Sequence, residues 1–107
     1  MLERSWSMLE PDPPEHRLPA DLGARDVFGG RDCGWVSQMR PFVRAYSRPG
    51  ETVFDPFCGF GTTLLAAALE GRDGVGMDVD GARADLARER LRRHGVEARV
   101  IRGSLPR

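Results

Sequence analysis

One segment constrains the fold of this chain more than any other: a short β-prone run that ends on an acid and turns through two glycines into an apolar helix. Thr52-Val53-Phe54 closes on Asp55, the loop Pro56-Phe57-Cys58-Gly59-Phe60-Gly61 follows, and from Thr62 the chain is mostly apolar up to Leu69. Glycine tolerates positive φ, so Gly59 and Gly61 let the backbone turn tightly and bring its amides close to a ligand. The helix that starts near Thr62, with Gly71 as its stop, aims its free N–H groups at the same place.

A second strand and helix follow. Val75-Gly76-Met77 closes on Asp78, and Asp80 caps a helix running to about His94, with Gly95 beyond its end. Ala84, Ala87 and Leu91 form its buried stripe, with Leu86 near the edge, and Glu89 precedes Arg93 at the favourable four-residue spacing. Ala98-Arg99-Val100-Ile101 is a third strand. Upstream, a helix begins after Gly34 with Ser37 as N-cap, Pro41 tolerated in the first turn, and Met39, Phe42, Val43 and Tyr46 on one face. It stops at the turn Ser47-Arg48-Pro49-Gly50. The order is a helix followed by β-α-β-α-β, an α/β chain equal to one mononucleotide-binding half of a doubly wound parallel sheet. Such sheets bind ligands at the carboxyl ends of their strands, where Asp78 is placed to accept both hydroxyls of a ribose.

A chain of 107 residues holds one domain at most, with a modest core. Residues 1–26, rich in proline and charge as in Glu10-Pro11-Asp12-Pro13-Pro14-Glu15, show neither a strand nor a helix period and read as a flexible arm, with Trp6, Met8 and Leu9 as candidate anchors. Residues 27–107 then form the ligand-binding subdomain. Sixteen basic residues balance sixteen acidic ones, so no net field draws the chain to nucleic acid, and Arg83, Arg88, Arg90, Arg92 and Arg93 read as a solvated helix face. Cys33 and Cys58 lie far apart and share no ligand spacing with His16 and His94, which speaks against a disulfide framework and a bound metal. The start, Met1-Leu2-Glu3-Arg4-Ser5, has no long apolar run, and Leu64 to Leu69 is too short to span a bilayer. A cytoplasmic protein without membrane association is the expectation.

The stretch Tyr46-Ser47-Arg48-Pro49-Gly50-Glu51-Thr52-Val53-Phe54-Asp55-Pro56-Phe57-Cys58-Gly59-Phe60-Gly61-Thr62-Thr63-Leu64 resembles the signature of the S-adenosylmethionine-dependent amino-methyltransferases, which modify adenine N6 or cytosine N4 in DNA. The resemblance continues through Gly71-Arg72, Gly76-Met77-Asp78-Val79-Asp80 and Ala87-Arg88-Glu89-Arg90-Leu91, covering about residues 35–103. It implies part of a Rossmann-like methyltransferase fold, S-adenosyl-L-methionine as cofactor and a nucleic-acid substrate. By the same resemblance Asp55 sits near the methionine end of the cofactor and Pro56 and Phe57 shape the wall. Cys58, Gly59, Gly61 and Thr62 line the loop, Cys58 as a loop residue rather than a nucleophile, and Asp78 holds the ribose. Two positions depart from the pattern: Phe60 stands where serine is usual, and Ser104 stands where an acid often reads the adenine.

Catalytic residues stay unassigned. The family holds the target amine with an Asp/Asn/Ser-Pro-Pro-Tyr/Phe loop, whose polar groups accept the amine hydrogens while the ring stacks on a flipped base. Only Asp12-Pro13-Pro14-Glu15 approaches that pattern; it ends in glutamate and lies too near Asp55 to leave room for the rest of a complete fold. The chain is similar to the C-terminal part of a circularly permuted branch, which implies an incomplete or split enzyme needing a complementary catalytic subunit, or self-association through an exposed sheet edge. The cofactor half of a guanine-N2 RNA methyltransferase and a non-catalytic cofactor-binding module are the alternatives; the doubled Thr62-Thr63 tilts the reading toward DNA. A nicotinamide oxidoreductase is disfavoured, because Leu64 stands where that motif needs a third small residue.

Overall fold

The computed structural model describes residues 11–31 and 33–104. Strands β1 (Thr52–Asp55), β2 (Asp73–Asp78) and β3 (Arg99–Arg102) form a parallel sheet in the order β1-β2-β3. The helices are α1 (Ala20–Ala24), α2 (Val36–Tyr46), α3 (Thr62–Leu69) and α4 (Gly81–Arg93), and a 3-10 turn spans Pro14–His16. The expected helix and β-α-β-α-β order is therefore present. Strand β2 starts at Asp73 rather than Val75, because pairing with β1 already begins at Thr52↔Asp73.

Helix α3 lies directly on β2. Gly74 and Gly76 are buried, and a methyl group on Gly76 would stand 2.6 Å from Leu64 Cδ1 and 2.8 Å from Cys58 Cβ. In dinucleotide folds a small helix residue gives this close packing; here the small residues are on the strand and Leu64 fills the space. Val36, Val43, Leu64, Leu65, Ala84, Ala87, Leu91 and Val100 complete the main core. Helix α2 reaches it through Val36 and Val43, with Met39 packed alongside. Phe42 and Tyr46 remain exposed beside the part-exposed Phe54. On the sheet, Phe54 shares a face with Val75, and Met77 with Ile101. None of these four is buried, whereas the opposite face carries the buried Gly74, Gly76 and Val100.

Charged groups tie the elements together. Arg40 and Arg44 of α2 hold Glu70 at 2.5 and 2.8 Å, and the Arg40 hydrogen bond keeps its carboxyl below the usual range. Beyond α3, Gly71 takes φ 76° and the buried Arg72 donates to the carbonyls of Glu70 and Ser47. One arginine thereby satisfies the ends of two helices. At α4, the Asp80 side chain caps the amides of Ala82 and Arg83, as its position in the sequence leads one to expect.

Two expectations are corrected. First, residues 11–26 carry structure, whereas Trp6, Met8 and Leu9 lie outside the described residues. Leu22 of α1 is fully buried and packs with Phe60 and Leu86 in a second apolar cluster. Asp12, only 3% exposed, accepts the Val36 amide through Oδ2 and the Ser37 amide through Oδ1, both at 2.8 Å. The cap of α2 is thus supplied from 24 residues away, and Ser37 lies inside the helix. Pro41 also lies past the first turn, where it offers no amide to the carbonyl one turn back. Second, the arginines of α4 are not a uniformly solvated face. Arg90 is fully buried, Arg83 pairs with Asp26 at 3.3 Å, and Arg93 pairs with Asp21 at 2.6 Å. Arg88 donates to the Val100 carbonyl at 2.7 Å. Arg88, Arg92 and Arg93 do remain exposed, and Arg92 pairs with Glu89 on its own helix. The Glu89–Arg93 spacing closes only to 4.0 Å.

Gly76→Ala should lower stability by about 1–3 kcal/mol through overpacking, read as a shifted urea midpoint with unchanged slope. Asp12→Ala should cost about 2 kcal/mol, because it strips two charge-assisted bonds from a helix start. Unchanged midpoints would contradict these contacts.

Candidate ligand-binding site

Parallel pairing brings Asp55 and Asp78 to the carboxyl ends of neighbouring strands, and the loop between β1 and α3 is fastened there. Asp55 Oδ1 accepts the Phe57 amide at 2.9 Å, which starts the turn. Cys58 N–H donates to the Met77 carbonyl and Gly59 N–H to Asp78 Oδ2, each at 2.9 Å. Asp78 also accepts the Asp80 amide through Oδ1, and its carbonyl accepts the Gly103 amide. One residue therefore joins the loop, the start of α4 and the exit of β3. Each of its carboxylate oxygens keeps a lone pair for a further donor.

The two loop glycines do different work. Gly59 has φ 50° and open space where a Cβ would stand, so its backbone is approachable from outside. Gly61 has φ 77° and is buried; a Cβ there would meet Leu91 Cδ1 at 3.3 Å and Ala87 Cβ at 3.4 Å. It caps α3 with no side-chain bond and lets α4 close against the loop.

A cavity of about 300 Å3 opens beside this loop. Asp55, Phe57, Cys58, Gly59 and Thr62 line it, together with Phe60 and Thr63, while Pro56, Gly61 and Asp78 lie outside its lining. The structure thus gathers five of the eight expected residues on one cavity, and Asp78 joins them through the Gly59 amide. Cys33, Gly34, Trp35, Gln38, Met39 and Arg83 complete the wall. Sequence reasoning missed all six in this role; the aromatic Trp35 just ahead of a helix was the one local signal. Ser104 is exposed and outside the cavity.

Phe60 does not obstruct the opening. Its ring is 3% exposed, packed with Leu22 and Leu86, and the Arg83 guanidinium lies 5.0 Å from its centroid. The bulky residue pins the N-terminal segment to the loop. Cys58 is buried against Gly76, and burial followed by the charges of Asp78 and Asp55 raises its thiol pKa to about 11. A thiol so held is a poor nucleophile at neutral pH. Among the described residues no three His, Cys, Asp or Glu side chains are grouped to hold a metal.

The Cys58 thiol pKa rises above its ordinary value of 9.0, so folding favours the protonated form. Stability should stay level below pH 9 and fall between pH 9 and about 11, as the unfolded chain ionises first. The loss should reach about 2–3 kcal/mol. Denaturant titrations across this range should show the slope in the native sequence and lose it in Cys58→Ala.

Known proteins share these features. The sequence model of the DNA methylase family matches residues 36–89, which is half of the chain and runs from the start of α2 through the loop and Asp78 into α4. The orphan methyltransferase M.BamHII of Bacillus amyloliquefaciens is 40% identical over 61 residues, covering 57% of this chain and 23% of that protein. A tRNA (guanine(10)-N2)-dimethyltransferase of Methanothermobacter thermautotrophicus is 39% identical over 56 residues, 51% of this chain and 17% of that protein. Among solved structures, TTHA0409 of Thermus thermophilus, a candidate DNA modification methylase, matches 88% of this chain with 31% identity and a TM-score of 0.58. This chain covers 44% of it, and TTHA0409 has also been solved in complex with S-adenosyl-L-methionine. The chain thus spans about a quarter of M.BamHII and under half of TTHA0409. With the family motif lying on the loop, strands and helices that build the cavity, this chain belongs to the DNA methylase family.

Proposed function

We propose that the chain is the cofactor-binding half of an S-adenosyl-L-methionine-dependent methyltransferase that modifies an exocyclic amino group of a DNA base, adenine N6 or cytosine N4. The observation that carries this reading is the glycine loop fastened to Asp78 through the Gly59 amide, open to a cavity at the carboxyl ends of β1 and β2. The residues fit the cofactor. Asp78 has lone pairs free for ribose hydroxyls, Asp55 offers negative charge to a cationic methionine end, and Phe57 gives an exposed apolar wall. Pro56 and Cys58 shape the turn, and Gly59, Gly61 and Thr62 bring the backbone and the uncapped start of α3 to the same place. The bound cofactor supplies a methyl group activated by its sulfonium. The chain's own part is to orient that group and shield one side of it.

The substrate amine needs acceptors from elsewhere. Asp12 is buried against the start of α2 with both carboxylate oxygens on its amides, so a base cannot reach it. A parallel sheet is normally covered on both faces, and here Phe54, Val75, Met77 and Ile101 leave one face partly exposed. Phe42, Tyr46 and Phe54 extend this surface along a groove of about 320 Å3 beside β1. These surfaces support a complementary catalytic half as partner, with residues 27–107 as the cofactor-binding subdomain and residues 11–26 packed against it through Asp12 and Leu22. No helix among the described residues is long and apolar enough to cross a membrane, and a DNA substrate agrees with a cytoplasmic location. The likeness to a guanine-N2 enzyme supports RNA as the second reading.

Calorimetric titration should show one S-adenosyl-L-methionine bound per chain and no binding of NAD. Asp78→Ala should weaken binding about ten- to hundredfold, the loss of charge-assisted hydrogen bonds. Failure of the folded protein to bind S-adenosyl-L-methionine would overturn the proposal. With a complementary half added, methyl incorporation into DNA rather than tRNA distinguishes the two substrates.

A further inference from the structure

Arg90 is the largest fully buried side chain, and among the described residues no carboxylate pairs with it. An unpaired buried guanidinium is costly, so what it holds must repay the burial. Its Nη1 donates to Thr62 Oγ1 at 2.9 Å and to the Phe60 carbonyl at 3.2 Å, and lies 3.6 Å from Cys33 Sγ. Its Nη2 donates to the His16 carbonyl at 2.9 Å, while Nε has no partner. The two loop acceptors flank Gly61, the left-handed residue at which the loop becomes α3. A planar fork that grips both sides of this residue fixes the direction in which Gly59 and the first turn of α3 face the cavity.

We infer that Arg90 is a positioning residue for the methyl-donor site: it sets the shape of the Gly59–Thr63 loop and, through the His16 carbonyl, makes that shape depend on the docked N-terminal segment. The inference rests on the cofactor reading given above and adds the residue that holds the loop from behind. Arg90 is not among the residues that line the cavity. The same guanidinium joins the loop to His16, which lies 74 residues before Arg90 in the chain, so loosening either end releases the other.

Arg90→Lys and Arg90→Met, made in the full chain, separate this role from mere stability. Lysine keeps the charge but is a point donor and cannot hold the Phe60, Thr62 and His16 acceptors in one plane. Titration with S-adenosyl-L-methionine should show Kd raised about tenfold or more at an unchanged one-to-one stoichiometry for folded protein. Amide exchange should quicken across Gly59–Thr63 and around His16, with β2 left as protected as before. A simple stability role predicts the reverse, fewer competent molecules with native Kd, and that result, or unaltered loop exchange, overturns the inference. If both Arg90 variants fail to fold, Thr62→Val removes one acceptor only and should quicken loop exchange in the same way; native exchange there overturns the inference as well. If the native chain binds no S-adenosyl-L-methionine, the cofactor reading fails, and loop exchange still decides whether Arg90 holds the loop.

Discussion

Helix α3 rests almost on the backbone of β2, because Gly74 and Gly76 place no side chain between the strand and Leu64. That approach sets the rest of the site. The loop entering α3 is brought within hydrogen-bonding reach of the end of β2, so Cys58 finds the Met77 carbonyl and Gly59 finds the Asp78 carboxylate. A methyl on Gly76 would push against both Leu64 and Cys58, the two residues that bracket the loop. Packing of a few apolar atoms and the polar geometry of the cavity are thus one constraint.

Around this contact the chain uses buried charge where a larger domain would use more apolar area. Asp12 meets the start of α2, where the helix dipole and two amides stabilise its negative charge. Arg72 draws the ends of α2 and α3 together through their carbonyls. Each charge is satisfied by backbone groups that have no other partner in the helix, which offsets the desolvation it suffers. Phe60, under the Arg83 guanidinium, adds the apolar component that joins α1 to the loop.

The strands, the three main helices and the loop were legible in the sequence because their signals are local. Asp80 caps the helix that follows it, Gly71 and Gly95 end helices with positive φ, and Ala84, Ala87 and Leu91 repeat at a helical period. What escaped detection acts across long separations. The Asp12 cap crosses 24 residues, and the Arg90 fork crosses 28 to reach Thr62 and 74 to reach His16. Neither leaves a periodic trace, and a charged residue in a proline-rich stretch or an arginine-rich helix reads naturally as solvated. Leu86 marks the boundary: the helical period placed it at the edge of the stripe, and the N-terminal segment covers it. Trp35 and Gln38 reach the cavity for a related reason, since the start of α2 is capped by Asp12, far off in the chain.

Asp78 has a further consequence. Its carboxylate and carbonyl join the loop, the first turn of α4 and the residue after β3, three segments that must all be in place together. A ligand that takes the remaining lone pairs of Asp78 therefore binds a surface that exists only when the sheet is assembled. Occupancy at a hundred times Kd adds about 2.7 kcal/mol to the folded state by mass action, a large share of what a domain this small possesses. On the proposed reading that this ligand is S-adenosyl-L-methionine, its abundance becomes a determinant of how long the folded chain persists, apart from any reaction it supports.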